Sequence, residues 1–386
     1  MPRLVLALVG ALLCAGAACA PHAPKDDAVV LERLPLRPRD PAALELRELR
    51  AAQAARPQDA DAAAELAHAY FALAMADGDP RYVGYAEAAL RRWAGEDAPA
   101  EILFLRGVLK QYRHAFAAAL ADLQRALERD PAHVGARAWR AAIMMVQADY
   151  AGAAKECAAL LGKADELQAV GCKAYVDAAT GGLRPAYTRL AAALRDSAQA
   201  SDAARLWSLT RLAEMAIRLD DAAAAERHFR DALALGGNDN FLLAAYADFL
   251  LDRGRPQEVV SRLKDWVRSD TLLLRLALAE RRLRLAGAEP HARALGERFA
   301  AAALRGERLH LQEEARFLLQ VRGDAKAALA AAIENYQTQR EPRDAAILLE
   351  AAATAGEPPA AAPALRWLRE SRFESGALER LAAKLK

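Results

Sequence analysis

Lysine is scarce in this chain. Only nine of its 53 basic residues are Lys, and the 53 face 51 acidic residues, for a net charge of +2 over 386 residues. So even a balance leaves no basic excess of the kind that holds nucleic acid. The Arg and Ala bias reads first as a GC-rich genome and only second as function. Cysteine is rarer, with four residues and no CxxC spacing or Cys/His cluster, which excludes finger-type zinc sites. After residue 13 no apolar run is long enough to cross a bilayer without charges. Alternating β-branched residues are missing, and with them the strands that carry P-loops, GxGxxG turns and GxSxG elbows. HExxH does not occur, and the seven histidines never share metal-ligand spacing on one helix. The sequence therefore assigns no catalytic residue, no metal and no cofactor. What is abundant, Ala, Leu, Arg and Glu, forms helices well, and the fold class is all-α.

Residues 1–18 read as an export signal: Met1-Pro2-Arg3 as a positive end, Leu4 to Leu13 as an apolar core, Ala15 to Ala18 as a small-residue exit. The apolar core is too short for a permanent membrane helix. Gly16-Ala17-Ala18-Cys19 resembles a bacterial lipobox, departing from it at Gly16, where Leu is usual. Cleavage before Cys19 would leave that residue as a lipidation candidate; a plain soluble periplasmic form is the other reading. The expected location is the periplasm, with an outer-membrane lipid anchor if Cys19 is acylated. Residues 19–40 form a Pro-rich tether, in which Val29, Val30, Leu31 and Leu34 either dock on the folded body or do nothing. Helical periodicity runs from residue 41 to 386.

Within that body the chain echoes itself. Gly107, Ala119 and Ala126 are followed 34 residues later by Ala141, Ala153 and Leu160. The pairing of small residues twelve apart returns at Ala174/Ala186, Ala213/Ala225 and, more weakly, Ala247/Val259. Such a period is the signature of stacked helical hairpins. The cleanest unit places one helix over Ala100–Tyr112 and a second over Phe116–Glu128, ended by Asp130-Pro131. It is most regular over 100–270 and decays after residue 274, although Glu307–Gln320 with Ala325–Tyr336, and Ala345–Ala355 with Ala361–Arg369, still read as helical pairs before a capping helix at Leu378–Leu385.

Leu103, Gly107, Phe116, Ala119, Leu123, Ala126 and Pro131 together resemble the tetratricopeptide repeat. The resemblance implies a right-handed superhelical solenoid of antiparallel helix pairs whose first helices line a concave groove for a partner peptide or helix. In that register the groove candidates are Gln111, Met145, Tyr175, Trp207, Arg211, Glu214 and Asp248; for Tyr175 and Trp207, packing between repeats is an equal alternative. The stack also makes the helices of Cys157 and Cys172 neighbours, so these cysteines form a structural bridge, stay as two buried thiols, or act as a redox pair. The Gly78–Ala86 tract lengthens the first hairpin, and Arg81, Tyr82 and Tyr85 are contact candidates there, with local packing the alternative. This tract and Arg340-Glu341-Pro342-Arg343-Asp344-Ala345 resemble exported repeat proteins of Gram-negative bacteria, a likeness that brings no established activity.

Three functions follow as expectations. The first is a non-enzymatic scaffold or adaptor of the cell envelope, binding an unidentified protein or peptide through its groove, touching membrane only through an N-terminal lipid and binding no nucleic acid. The second is an enzyme, or an enzyme-regulating subunit, acting on a cell-wall or small-molecule substrate, which requires a polar cluster of perturbed pKa in a pocket. The third is a structural spacer.

Overall fold

The computed structural model describes residues 41–236 and 239–385, with Asp26, Ala28 and Val29. The export segment, Cys19 and nearly all of the tether lie outside the described residues; Val29 is exposed. Among the described residues there is no strand, and none of the helices is long and apolar enough to cross a membrane.

The fold is all-α, a solenoid of antiparallel helix pairs. A first helix, α1 (Pro41–Ala55), leans on the pair α2 (Ala60–Asp77) and α3 (Arg81–Leu90). The central pairs follow: α4 (Ala100–Tyr112) with α5 (Phe116–Arg129), α6 (Val134–Val146) with α7 (Tyr150–Leu160), α8 (Glu166–Ala179) with α9 (Leu183–Asp196), and α10 (Asp202–Arg218) with α11 (Ala222–Ala234). Then come α12 (Asn240–Asp252), α13 (Pro256–Leu263), α14 (Asp270–Leu283) and α15 (Ala288–Leu304). The last part comprises α16 (Leu311–Phe317), continued by a π-helical turn over Leu318–Arg322, then α17 (Ala325–Thr338), α18 (Pro342–Ala355), α19 (Ala362–Ser371) and α20 (Gly376–Ala383).

Local chemistry starts these helices. Asp59, Asp149, Asp165, Asp221, Asp239 and Asp324 each accept a backbone N–H of the first turn, as Ser201, Ser269 and Ser375 do through their hydroxyls. Each satisfies a donor that has no partner inside the helix. The small positions of the echo are where paired helices touch: Ala119, Ala153, Ala174, Ala186, Ala213 and Ala225 are fully buried. At Gly107 the approach is closest. A Cβ there would lie 2.7 Å from Leu123 Cγ and 3.2 Å from the Ala119 carbonyl oxygen.

The decay of the repeat after residue 274 does not end the helical pairing. α14 and α15 pack as a hairpin, although the sequence pattern reads none there. The regular array is held together further by a disulfide between Cys157 on α7 and Cys172 on α8, with Cα atoms 5.4 Å apart.

The concave groove is bridged at two places. First, the α2–α3 turn reaches across to the far part of the array: a Cβ on Gly78 would sit 2.8 Å from Ser269 Cβ and 3.0 Å from Asn240 Oδ1. Gly78 also holds φ +65°, a conformation that costs other residues energy. Second, the last helices fold back over α6 to α10. Met145, Ala153, Cys157 and Val176 share one apolar core with Leu348, Trp367, Phe373 and Leu378. Arg340 N donates to the Val146 carbonyl at 2.7 Å, Trp367 Nε1 to Tyr150 OH at 2.8 Å, and Leu183 N to Glu374 Oε2 at 2.7 Å. The guanidinium of Arg218 lies 3.7 Å above the Phe373 ring.

Candidate functional site

The two bridges border a partly open lumen of about 1770 Å³. The first helices of the repeats turn one face toward it, so six of the seven groove candidates line it: Gln111, Met145, Tyr175, Arg211, Glu214 and Asp248. Two of these are not free recognition groups. Met145 is buried in the core shared with the last helices, and Asp248 is spent on an internal ion cluster. Trp207 does not line the lumen and is partly exposed. Its ring stands edge-on to Tyr175 at 5.9 Å and covers Gly171, because the hole left by a missing side chain on α8 accommodates the indole. Trp207 thus packs between repeats while part of its ring stays exposed.

The hairpin candidates divide. Arg81 lines the lumen, its guanidinium bound to Asp79, with Nη2 and Oδ2 2.6 Å apart. Tyr82 is buried against Tyr70. Tyr85 is exposed and lies 5.4 Å from the Tyr70 ring. Neither Tyr reaches the lumen.

Three clusters organise the lumen wall. The first joins α12, α14 and α16. Asp248 accepts from Arg275 Nη2 at 2.7 Å and Nε at 3.1 Å, and from Arg316 Nη1 at 2.6 Å. Arg275 is only 1% exposed, and its Nη1 also donates to the Thr271 carbonyl at 2.8 Å. Burial opposes the Asp248 charge, but the two guanidiniums outweigh it and hold the carboxyl below its usual range. The π-helical turn after α16 carries Gln320 to the same wall, where it receives a hydrogen bond from Arg316 and donates to Glu350. A π turn adds a residue to the helix and re-aims the side chains that follow it.

The second cluster surrounds Phe241. Arg211 lies 4.4 Å and Arg343 5.1 Å from the ring centroid, cation–π contacts that hold each guanidinium in place. Both arginines share Glu214, at 2.9 and 3.3 Å. Arg211 Nη1 also donates to Tyr175 OH at 3.2 Å, and its buried Nε has no hydrogen-bond partner.

The third is a carboxyl pair at the start of α18. Asp344 is buried, its Oδ1 accepting from Asn335 Nδ2 and its Oδ2 from the Glu341 backbone N–H, each at 2.8 Å. Burial first, and the neighbouring Glu341 charge second, push the Asp344 pKa up. Burial likewise raises that of Glu341, against the pull of Arg211 and Arg343. Asn335 Oδ1 accepts from Gln339 Nε2 at 3.1 Å, and the Gln339 amide meets His114 Nδ1 at 3.2 Å. Burial, and then His310, lower the His114 pKa to about 4. This chain of side chains ties the last helices to the α4–α5 turn.

Sequence reasoning missed Arg275, Arg316 and Phe241, and named Arg343 only within the tract 340–345. For the first there was a signal: Arg275 interrupts the apolar stretch Leu272-Leu273-Leu274-Arg275-Leu276-Ala277, and a charge on a buried face requires a buried partner. Both tracts that resemble exported repeat proteins, 78–86 and 340–345, reach the lumen wall. Among the described residues no group of His, Cys, Asp and Glu is arranged to hold a metal.

No family model and no curated protein matches the sequence. Among solved structures the chain is similar to a tetratricopeptide repeat protein from Parabacteroides merdae, at 14% identity over 74% of this chain and 98% of that one, with a TM-score of 0.32. It is also similar to yeast Tom70, at 11% identity over 89% and 95% with a TM-score of 0.31. A third likeness is to the TPR domain of P58(IPK), at 13% identity over 89% and 92% with a TM-score of 0.23.

Proposed function

We propose that this protein is a non-catalytic binding scaffold of the cell envelope, which holds a partner protein by a segment inserted into the lumen. The observation that carries the reading is the lumen itself: one wall of first helices, supplied by repeats far apart in sequence, presents Gln111, Tyr175, Arg211 and Glu214 to a common space. Its volume of about 1770 Å³ exceeds the roughly 300–1,000 Å³ of a site for one small molecule, which favours a polymeric occupant. Export rests on residues 1–18, and the periplasm with an outer-membrane anchor at Cys19 is part of the proposal. An inert spacer has no use for a charged lumen.

The enzyme reading has one observation in its favour, the raised Glu341–Asp344 pair. Both Asp344 oxygens are engaged by Asn335 and the α18 N-terminus, so the group serves as a helix-terminus acceptor and not as a free acid or base.

The test is site-specific photocrosslinking in cells. A crosslinker at Gln111, on the lumen wall, is expected to capture a discrete envelope protein, and the same group at Leu161, exposed on the outside, is expected to capture none or a different set. Absence of any captured protein at Gln111 sinks the reading.

A further inference from the structure

The lumen wall restricts what can enter it. Thirteen arginines and twelve Asp and Glu side chains line it, with no lysine. Most of these charges already have an opposite partner: Arg113 with Glu87, Arg298 with Asp270, Arg308 with Glu334, Arg316 with Asp248. A polyanion or polycation would meet a field that nearly cancels, and it could gain a wall charge only by competing with a partner already in place. Three of the aromatic rings on the wall are already covered. Phe241 is covered by Arg211 and Arg343, Phe373 by Arg218, and Phe249 by Arg253. Guanidiniums take the ring faces on which a hydrophobic side chain would stack.

The wall offers donors and acceptors of both signs set close together. Around Phe241 two guanidiniums share the single carboxylate Glu214, and the buried Arg211 Nε stands without a partner. Beside them lie the Glu341 carboxyl, which both arginines attract, and Glu313, which acts on it by repulsion. A ligand carrying an acidic and a basic group next to each other extends this alternation: its carboxylate takes the guanidinium donor that Glu214 leaves unused, and its ammonium shares Glu214. Electrostatic fit of that kind selects partners more than it adds raw affinity.

We infer that the lumen selects an extended peptide segment of mixed charge, with acidic and basic side chains alternating, anchored at Arg211, Glu214 and Arg343. This rests on the reading of the lumen as the partner site and names the chemistry of the segment it takes.

The experiment uses the full mature chain and three fluorescent synthetic peptides of equal length on a Gly/Ser frame: one alternating Glu and Lys, one with Glu only, one with Lys only. Fluorescence anisotropy is expected to show the alternating peptide binding about tenfold more tightly than either single-sign peptide. Arg343→Gln and Glu214→Gln are each expected to weaken it about tenfold. Circular dichroism melting separates lost recognition from lost folding: Arg343→Gln, at a side chain 35% exposed, is expected to match the parent, and Glu214→Gln, which leaves the buried Arg211 less compensated, to melt earlier. If a variant melts early, Tyr85→Ala, outside the lumen, serves as a folded control that must bind the alternating peptide like the parent. A single-sign peptide binding as well as the alternating one, or equal binding by folded Arg343→Gln and Glu214→Gln, overturns the inference. Should none of the peptides bind while the Gln111 crosslinker still captures a protein, the mixed-charge inference fails and the scaffold reading stands; should the crosslinker capture nothing, the scaffold reading falls as well.

Discussion

Replacing Asp248 by Ala removes the single carboxylate that accepts from both Arg275 and Arg316, three hydrogen bonds at 2.6 to 3.1 Å. Arg275 is 1% exposed, so its charge cannot turn to water. Breaking a buried pair from one side costs about 3–5 kcal/mol, mostly because the remaining charge is left uncompensated. Two features pull the expectation to the low end: Arg275 keeps its bond to the Thr271 carbonyl, and Glu313 stands 4.0 Å from it. We expect Asp248→Ala to lose about 3 kcal/mol and Asp248→Asn, which keeps an acceptor of the same shape, about 2 kcal/mol. Urea denaturation followed by helical circular dichroism measures both. Asp248→Leu combined with Arg275→Met and Arg316→Met should recover most of the loss, because the charges then disappear together. The pH dependence follows from the same cluster. Folding lowers the Asp248 pKa, so the native state binds fewer protons than the unfolded chain across the acid range. The contribution is complete above the ordinary carboxylate pKa and fades as pH falls through the lowered one. A loss below about 1 kcal/mol for Asp248→Ala, with no difference in acid stability, would show that the cluster behaves as a solvated surface pair and would refute this reasoning.

Other consequences are open to measurement. Reducing the Cys157–Cys172 bridge, which closes 15 residues, is expected to cost about 3 kcal/mol; identical melting with and without reductant rules that out. Gly107→Ala improves helix propensity by about 1 kcal/mol, yet its Cβ would meet Leu123 at 2.7 Å. A net destabilisation of about 1 kcal/mol is expected from overpacking, and a more stable variant would contradict the packing described. His114 is held neutral by burial, with a pKa near 4. Between the ordinary imidazole value and that one the unfolded chain takes up a proton that the native state refuses. Stability therefore falls as pH drops through this window, and His114→Gln should flatten the slope. An NMR titration placing His114 at an ordinary imidazole value counts against it. Growth with an alkyne-tagged fatty acid is expected to label the chain and not Cys19→Ala; an unlabelled parent ends the lipid-anchor proposal.

Much of the local structure was legible in advance. The proposed helices at Ala100–Tyr112 and from Phe116 coincide with α4 and the start of α5, because the period, the small contact residues and the terminating Asp130-Pro131 all act within a few turns. The α14–α15 hairpin was not legible: Arg275 and Glu280 sit on buried faces of α14, and charges there erase the apolar periodicity that marks a helix. The groove residues were half legible. Register alone put Gln111, Tyr175, Arg211 and Glu214 on one wall, but it could not separate them from Trp207, whose side chain is drawn aside by the gap over Gly171.

By itself, then, the sequence determined the helical class and the pairing of neighbours within the regular array, since these depend on residues within one repeat of each other. Tertiary structure alone decided that the groove is bridged, that the last helices form part of its wall, and that Arg316 and Arg343 complete clusters begun by Asp248 and Glu214. Those contacts join positions such as His114 and Gln339, 225 residues apart. They follow from the accumulated curvature of the stack and from apolar surface on α16 to α20 that is buried only by folding back. No local pattern of residues encodes where such a curve meets itself.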